Sequence, residues 1–134
     1  MIAIDTSLVV ALFASWHEGH DAAREAVPSE IHLPAHVLLE SYSVLTRLPP
    51  PHRAPGDVVE SFLRGRFQPK LLTLPGSRHR SFLKSAVGRG ITGGSVYDAL
   101  IAATADHSGA TLLTRDRRAA RTYEAVGVSY RLFG

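Results

Sequence analysis

The chain has 134 residues, of which 45% are hydrophobic and 20% charged, and carries a formal net charge of +3. That length predicts a single domain over residues 1–134, and the apolar content is too high for a disordered chain. The absence of cysteine excludes disulfide scaffolds, zinc ribbons, thiol nucleophiles and Fe–S clusters, and the longest apolar run, residues 8–14, is far short of a membrane span.

Ile2, Ala3 and Ile4 form a short apolar run ended by Asp5, Thr6 and Ser7. They read as a buried strand feeding a helix that begins at Thr6 or Ser7 and runs to about residue 15. A second helix is expected over residues 17–27, stopped by Pro28, and a second strand at residues 31–33. Pro34 suits the start of the next helix, which runs to about residue 48. The proline-rich stretch 49–56 reads as a stiff turn, since neither flank is large enough for its own core. A helix over 57–67, a strand over 70–74 and a helix over 77–87 follow, then a flexible glycine-rich hinge at 88–94. Residues 95–107 read as an apolar helix, 111–113 as a strand, 117–126 as a helix and 128–132 as a last strand. Short apolar strands alternating with helices predict βαβ units and a parallel sheet. In such sheets the functional crevice lies beyond the carboxyl ends of the strands, so residues just after each strand are candidates for chemistry.

Charge is unevenly divided. Residues 1–77 carry six basic and eight acidic side chains, net −2, while residues 78–134 carry nine basic and four acidic, net +5. Of the 15 basic residues 13 are Arg, whose planar fork matches phosphate bidentately. A solvated face accounts for this as well as a surface for nucleic acid or an acidic partner does.

Four carboxylates stand out by position. Asp5 directly follows a predicted strand, Asp116 follows the 111–113 strand in Leu112-Leu113-Thr114-Arg115-Asp116, Asp98 lies in the first turn of the apolar 95–107 helix, and Glu40 lies at the edge of an apolar helical stripe. Each has an ordinary structural explanation. Asp5 and Asp116 can be helix N-caps, Ser95-x-x-Asp98 matches a capping box, and Glu40 can pair with Arg47 or reach solvent. Together they describe something else, because several carboxylates near one core must share cations or protons. Such crowding should raise the pKa of at least one of them. Carboxylates without His or Cys suit hard ions such as Mg²⁺ or Mn²⁺. Two divalent ions would balance the cluster, activate a water and stabilise a leaving oxygen in phosphodiester hydrolysis. Thr6, Ser7 and Thr114 can orient the carboxylates or hold water.

The segments Ile2-Ala3-Ile4-Asp5-Thr6-Ser7-Leu8-Val9-Val10-Ala11-Leu12, an inner Glu40, Tyr97-Asp98-Ala99-Leu100-Ile101-Ala102-Ala103-Thr104-Ala105 and Leu113-Thr114-Arg115-Asp116 resemble the four acidic motifs of PIN-domain ribonucleases. The likeness is strongest to the VapC-like toxins of toxin–antitoxin modules, and it spans nearly the whole chain in order and spacing. It implies a three-layer α/β/α sandwich around a mainly parallel five-stranded sheet, and Mg²⁺-dependent cleavage of single-stranded or structured RNA, with Mn²⁺ able to substitute. It also implies a small cognate antitoxin and a homodimer, in the cytoplasm and without a membrane role. By motif match Asp5 and Asp98 are the metal ligands, and Glu40 and Asp116 complete the catalytic acidic pocket. Arg115, Arg117, Arg118 and Arg121, beside Asp116 in the basic half, are the candidate RNA contacts. The chain departs from the family at Arg117-Arg118-Ala119, where another acidic or aromatic residue is common.

Other patterns carry less. Gly88-Arg89-Gly90-Ile91-Thr92-Gly93 matches G-x-G-x-x-G but follows a predicted helix rather than a strand. His17-x-x-His20 has metal-ligand spacing without a third ligand nearby. A covalent phosphate acceptor at Asp5 would ordinarily have a second Asp where Ser7 stands, and a Lys after a strand. A catalytically inactive binding module would have no need of all four acids.

Overall fold

The computed structural model describes all of residues 1–134. Strand β1 (Ile2–Ile4) leads into α1 (Thr6–Phe13), α2 (His20–Ala26), α3 (Ala35–Thr46) and α4 (Gly56–Arg66). A 3-10 turn (Gly76–Arg78) then opens α5 (His79–Gly88), followed by α6 (Ser95–His107), β2 (Thr111–Thr114), α7 (Arg117–Val126) and β3 (Tyr130–Leu132). The three strands form one parallel sheet in the order β1-β2-β3. Ala3 pairs with Leu112, and Leu113 with Arg131.

The sheet is narrower than expected. The strands expected at 31–33 and 70–74 make only isolated parallel bridges, His32 to Ala3 and Leu72 to Pro34. The pairing there rests on a few bonds: His32 N–H to the Ile2 carbonyl (3.0 Å), Leu72 N–H to Leu33 (2.9 Å) and Ala35 N–H to Leu72 (2.8 Å). Pro34 has no N–H to donate, and α3 begins immediately after it, so this segment cannot extend into a ladder. The protein is therefore a helical α/β fold on a three-stranded parallel sheet, not the five-stranded one that the motifs implied.

The direction of travel across the sheet reverses at β1. The chain moves from β1 outward through residues 32 and 72, then returns to pair β2 on the other side of β1. The crevice beyond the carboxyl ends of β1 and β2 is thus the switch point where such sheets hold ligands. Ile4, Leu8, Val9, Val37, Ile101, Leu112 and Tyr123 belong to one hydrophobic core cluster beneath it. α1 packs on α2 and α3, and α6 on α5 and α7, while β2 contacts α1, α6 and α7. Gly127, at φ 91°, ends α7 in the left-handed region and turns the chain into the last strand, which begins two residues later than expected. No helix is long and apolar enough to cross a membrane.

Candidate active site

Asp5 leaves β1 and caps α1, and is only 3% exposed. Its Oδ1 accepts from the Ser7 backbone N–H (3.1 Å) and the Ser7 hydroxyl (2.6 Å), and its Oδ2 accepts from the Tyr123 hydroxyl (2.7 Å). Burial pushes the Asp5 carboxyl above its usual pKa, against the opposing pull of these hydroxyl donors. Burial and the facing Asp5 charge push the Tyr123 phenol upward too, so it remains a donor at neutral pH. Sequence reasoning missed Tyr123. It lies 118 residues from Asp5 on the buried face of α7, and nothing in the local pattern separates it from an ordinary core aromatic. Tyr123→Phe keeps the ring and leaves a buried carboxylate one donor short. It should cost about 1–3 kcal/mol of stability, read from denaturant unfolding at pH 7.

Ser7 binds the two strand ends together. Its hydroxyl donates to Asp5, accepts from the Arg115 N–H (2.8 Å), and lies 3.4 Å from the Thr114 hydroxyl. Thr114, fully buried at the end of β2, accepts from the Asp116 N–H at 3.0 Å. Asp116 in turn caps α7, accepting from Arg118 N–H (2.9 Å) and Ala119 N–H (3.1 Å). Both aspartates therefore do serve as helix caps, and capping itself fixes where their carboxylates point.

Glu40 comes from α3. It accepts a short bond from the Thr6 hydroxyl (2.5 Å), and its other oxygen lies 3.3 Å from His36 Nε2. The expected partner Arg47 turns away and bonds Ser43 instead. His36 precedes Glu40 by one helical turn, so its i,i+4 spacing was the available signal. Asp98 enters from α6, whose cap is Gly94 and has no side-chain cap bond, so the Ser95–Asp98 capping box does not form. Burial raises the Asp98 carboxyl to about 6, reinforced by the charges of Glu40, Asp116 and Asp5. The four acids thus share one electrostatic environment.

A cleft of about 810 Å³ opens over this point. Its walls include Glu40, Asp98 and Asp116, the hydroxyls of Thr6 and Ser7, and Arg47, Arg115, Arg117 and Arg118. Asp5 sits beneath this wall and is not part of it, and Arg121 lies outside it, exposed on α7. His17 and Arg47 line the cleft although neither was singled out as a substrate contact. Burial and the Arg115 guanidinium hold His17 below its usual pKa, so it is neutral at pH 7. The ring Nδ1 of His17 accepts from Gly19 N–H, and His20 Nδ1 bonds the Ala11 carbonyl, which leaves no His17–His20 metal pair. The glycine stretch follows helix α5, not a strand, so it is not a dinucleotide fingerprint.

Two basic–acidic side-chain pairs lie within 4.0 Å, His36–Glu40 and the Arg64–Glu60 ion pair. Asp98 and Asp116 therefore have no cationic side chain within 4.0 Å, although arginines line the same cleft. No three acidic or imidazole side chains come close enough together to hold a metal ion between them. An open cleft with unpaired carboxylates and flanking hydroxyls fits Mg²⁺, which binds through one or two carboxylates and keeps several waters. The donor set fits the ion.

A parallel sheet with an acidic, arginine-rimmed cleft at its switch point defines a class of protein. The PIN domain family model matches residues 2–125, and the chain belongs to that family, in its VapC-like branch. It is 48% identical to Ribonuclease VapC40 of Mycobacterium tuberculosis over 132 residues, covering 98% of each chain. It is 43% identical to Ribonuclease VapC27 of the same species, covering 95% of this chain and 93% of that one. Among solved structures, Mycobacterium tuberculosis VapC20, a Sarcin-Ricin loop cleaving toxin, superposes with a TM-score of 0.69 at 17% identity, covering 90% and 94%. FitAcB from Neisseria gonorrhoeae superposes with a TM-score of 0.70 at 19% identity, covering 97% and 96%. These two likenesses concern the fold.

Proposed function

We propose that the protein is a Mg²⁺-dependent endoribonuclease and the toxin of a toxin–antitoxin pair, acting in the cytoplasm. The observation that carries this reading is the cleft itself, where Asp98 and Asp116 have no cationic partner within 4.0 Å while four arginines, Arg47, Arg115, Arg117 and Arg118, line the same volume. The relatives named as VapC ribonucleases, 48% and 43% identical over nearly their whole length, supply the RNA substrate class.

A divalent ion bound there would lower the pKa of an attacking water and neutralise charge on the scissile phosphate. The chain's own residues do the rest. Asp98 and Asp116 hold the negative charge, and Asp5 adds its own from below. Thr6 orients Glu40, and Ser7 and Tyr123 fix Asp5 so that the carboxylates need no rearrangement on binding. Arg115, Arg117 and Arg118 meet the RNA backbone, with Arg121 extending the basic face along α7. A small antitoxin and a second copy of the chain are the proposed partners. Solved neighbours include a FitAB complex and a VapBC2 complex, each bound to DNA.

The phosphates are tested by salt dependence. Each contact adds roughly 0.7 to the slope of log affinity against log salt for a single strand. Replacing Arg117 and Arg118 together by Ala should therefore lower the slope by about 1.4, measured on single-stranded RNA in chelator. An unchanged slope would assign the basic face to the antitoxin or to solubility.

Two other readings are weaker. A PIN-fold binding module without catalysis would bind RNA yet never cut it, at any Mg²⁺ concentration. An aspartyl-phosphate enzyme using Asp5 needs that carboxylate open to in-line attack, and it is buried beneath Ser7 and Tyr123.

A further inference from the structure

Tyr97 stands one residue before Asp98, lines the cleft, and is 53% exposed. The core side of α6 is supplied by Ala99, Ile101, Ala102, Thr104 and Ala105, so the fold does not need Tyr97 for burial. Its ring lies parallel to that of His36 on α3, with planes 3° apart and centroids 5.1 Å apart. That offset stack braces one side of the phenol and leaves the remainder open. His36 is itself held, with Nε2 3.3 Å from Glu40. The aromatic surface is thus preset between two helices, beside the acids and in the cleft that the arginines line.

We propose that Tyr97, backed by His36, is a stacking platform for an unpaired nucleobase of the RNA, next to the phosphate that the acids address. This rests on the ribonuclease reading and goes beyond it by assigning a residue that selects for a splayed-out base. Aromatic stacking tolerates any base, because every base has a π face, but it requires one that is free of a helix. Arginines then hold the backbone while Tyr97 sets which nucleotide lies over Asp98.

The test is binding of a fluorescent single-stranded oligoribonucleotide of mixed sequence, in chelator so that nothing is cut. Tyr97→Ala should weaken binding about ten-fold and Tyr97→Phe by less than about two-fold, with the salt slope unchanged because no charge is lost. Abasic nucleotides are then walked along the strand. At one position the abasic site should weaken the wild type by a similar factor and leave Tyr97→Ala unaffected, since the partner of the missing ring is already gone. Wild-type affinity in Tyr97→Ala, or a loss that adds equally to every abasic site, would overturn the platform and leave a structural brace. A wild type that fails to bind the strand at all would overturn the ribonuclease reading along with it.

Discussion

Asp98→Asn should abolish RNA cleavage, by orders of magnitude, while making the metal-free protein melt later at pH 8. Asn preserves size and much of the hydrogen bonding but removes one charge and one proposed metal ligand. Asp98 has a folded pKa raised to about 6 from 3.8. A group shifted upward contributes stability that is fully present below its unfolded value and is lost as pH rises through the folded one. The charged carboxylate therefore strains the folded state above pH 6, through burial first and then repulsion by Glu40, Asp116 and Asp5. The melting difference between Asp98→Asn and wild type should be largest near pH 8 and close below about pH 4. If Asp98 only shaped the helix start, Asn would lower stability by at most ~1 kcal/mol and leave cleavage intact. Cleavage should also collapse in Asp5→Asn, and fall less steeply in Glu40→Gln and Asp116→Asn. Burial raises the Asp5 carboxyl as well, so the melting shift of Asp5→Asn above neutral pH should have the same sign.

The second large effect is on cells. Expressed alone in a bacterium, the wild-type protein should arrest growth and slow translation, and the cognate antitoxin should restore both. Asp98→Asn expressed at the same soluble level should let the culture grow. The toxicity then follows the carboxylate, not the fold or the arginine surface, which the variant keeps. Unimpaired growth at confirmed soluble wild-type expression would count against the toxin role and leave the nuclease chemistry to be judged on RNA alone.

Much of the site was legible because it hangs on strand ends. Asp5 and Asp116 each follow a short apolar run with hydroxyl residues beside it, Thr6 and Ser7 at the first and Thr114 at the second, and helix α6 has the predicted bounds, 95–107. Local rules sufficed where the local element decides the geometry. They failed where tertiary contact decides it. Pro34 and the immediate start of α3 reduced an expected strand to a bridge, and the residue 72 segment, which pairs only with that segment, stayed a bridge too. The Ser95–Asp98 spacing satisfies a capping rule, yet the cap is Gly94 and not Ser95, which leaves Asp98 free to line the cleft. Glu40 is partnered by His36, one turn before it on α3, and not by Arg47, two turns after it at the helix end. Tyr123 and the Tyr97–His36 stack join residues 118 and 61 positions apart, and no window of sequence contains either pair.

In the proposed mechanism these carboxylates hold the ion that cutting requires. The direct measurement is Mg²⁺ titration, by calorimetry for binding and on labelled RNA for cleavage, with thermal melts at each concentration, for wild type and Asp98→Asn. Wild-type cleavage should be absent in chelator and rise with the same midpoint as Mg²⁺ binding, and the ion should raise the wild-type melting temperature but not that of Asp98→Asn. Undiminished cleavage in chelator, or an Asp98→Asn protein that melts earlier than wild type yet cuts RNA at the wild-type rate, would contradict this mechanism.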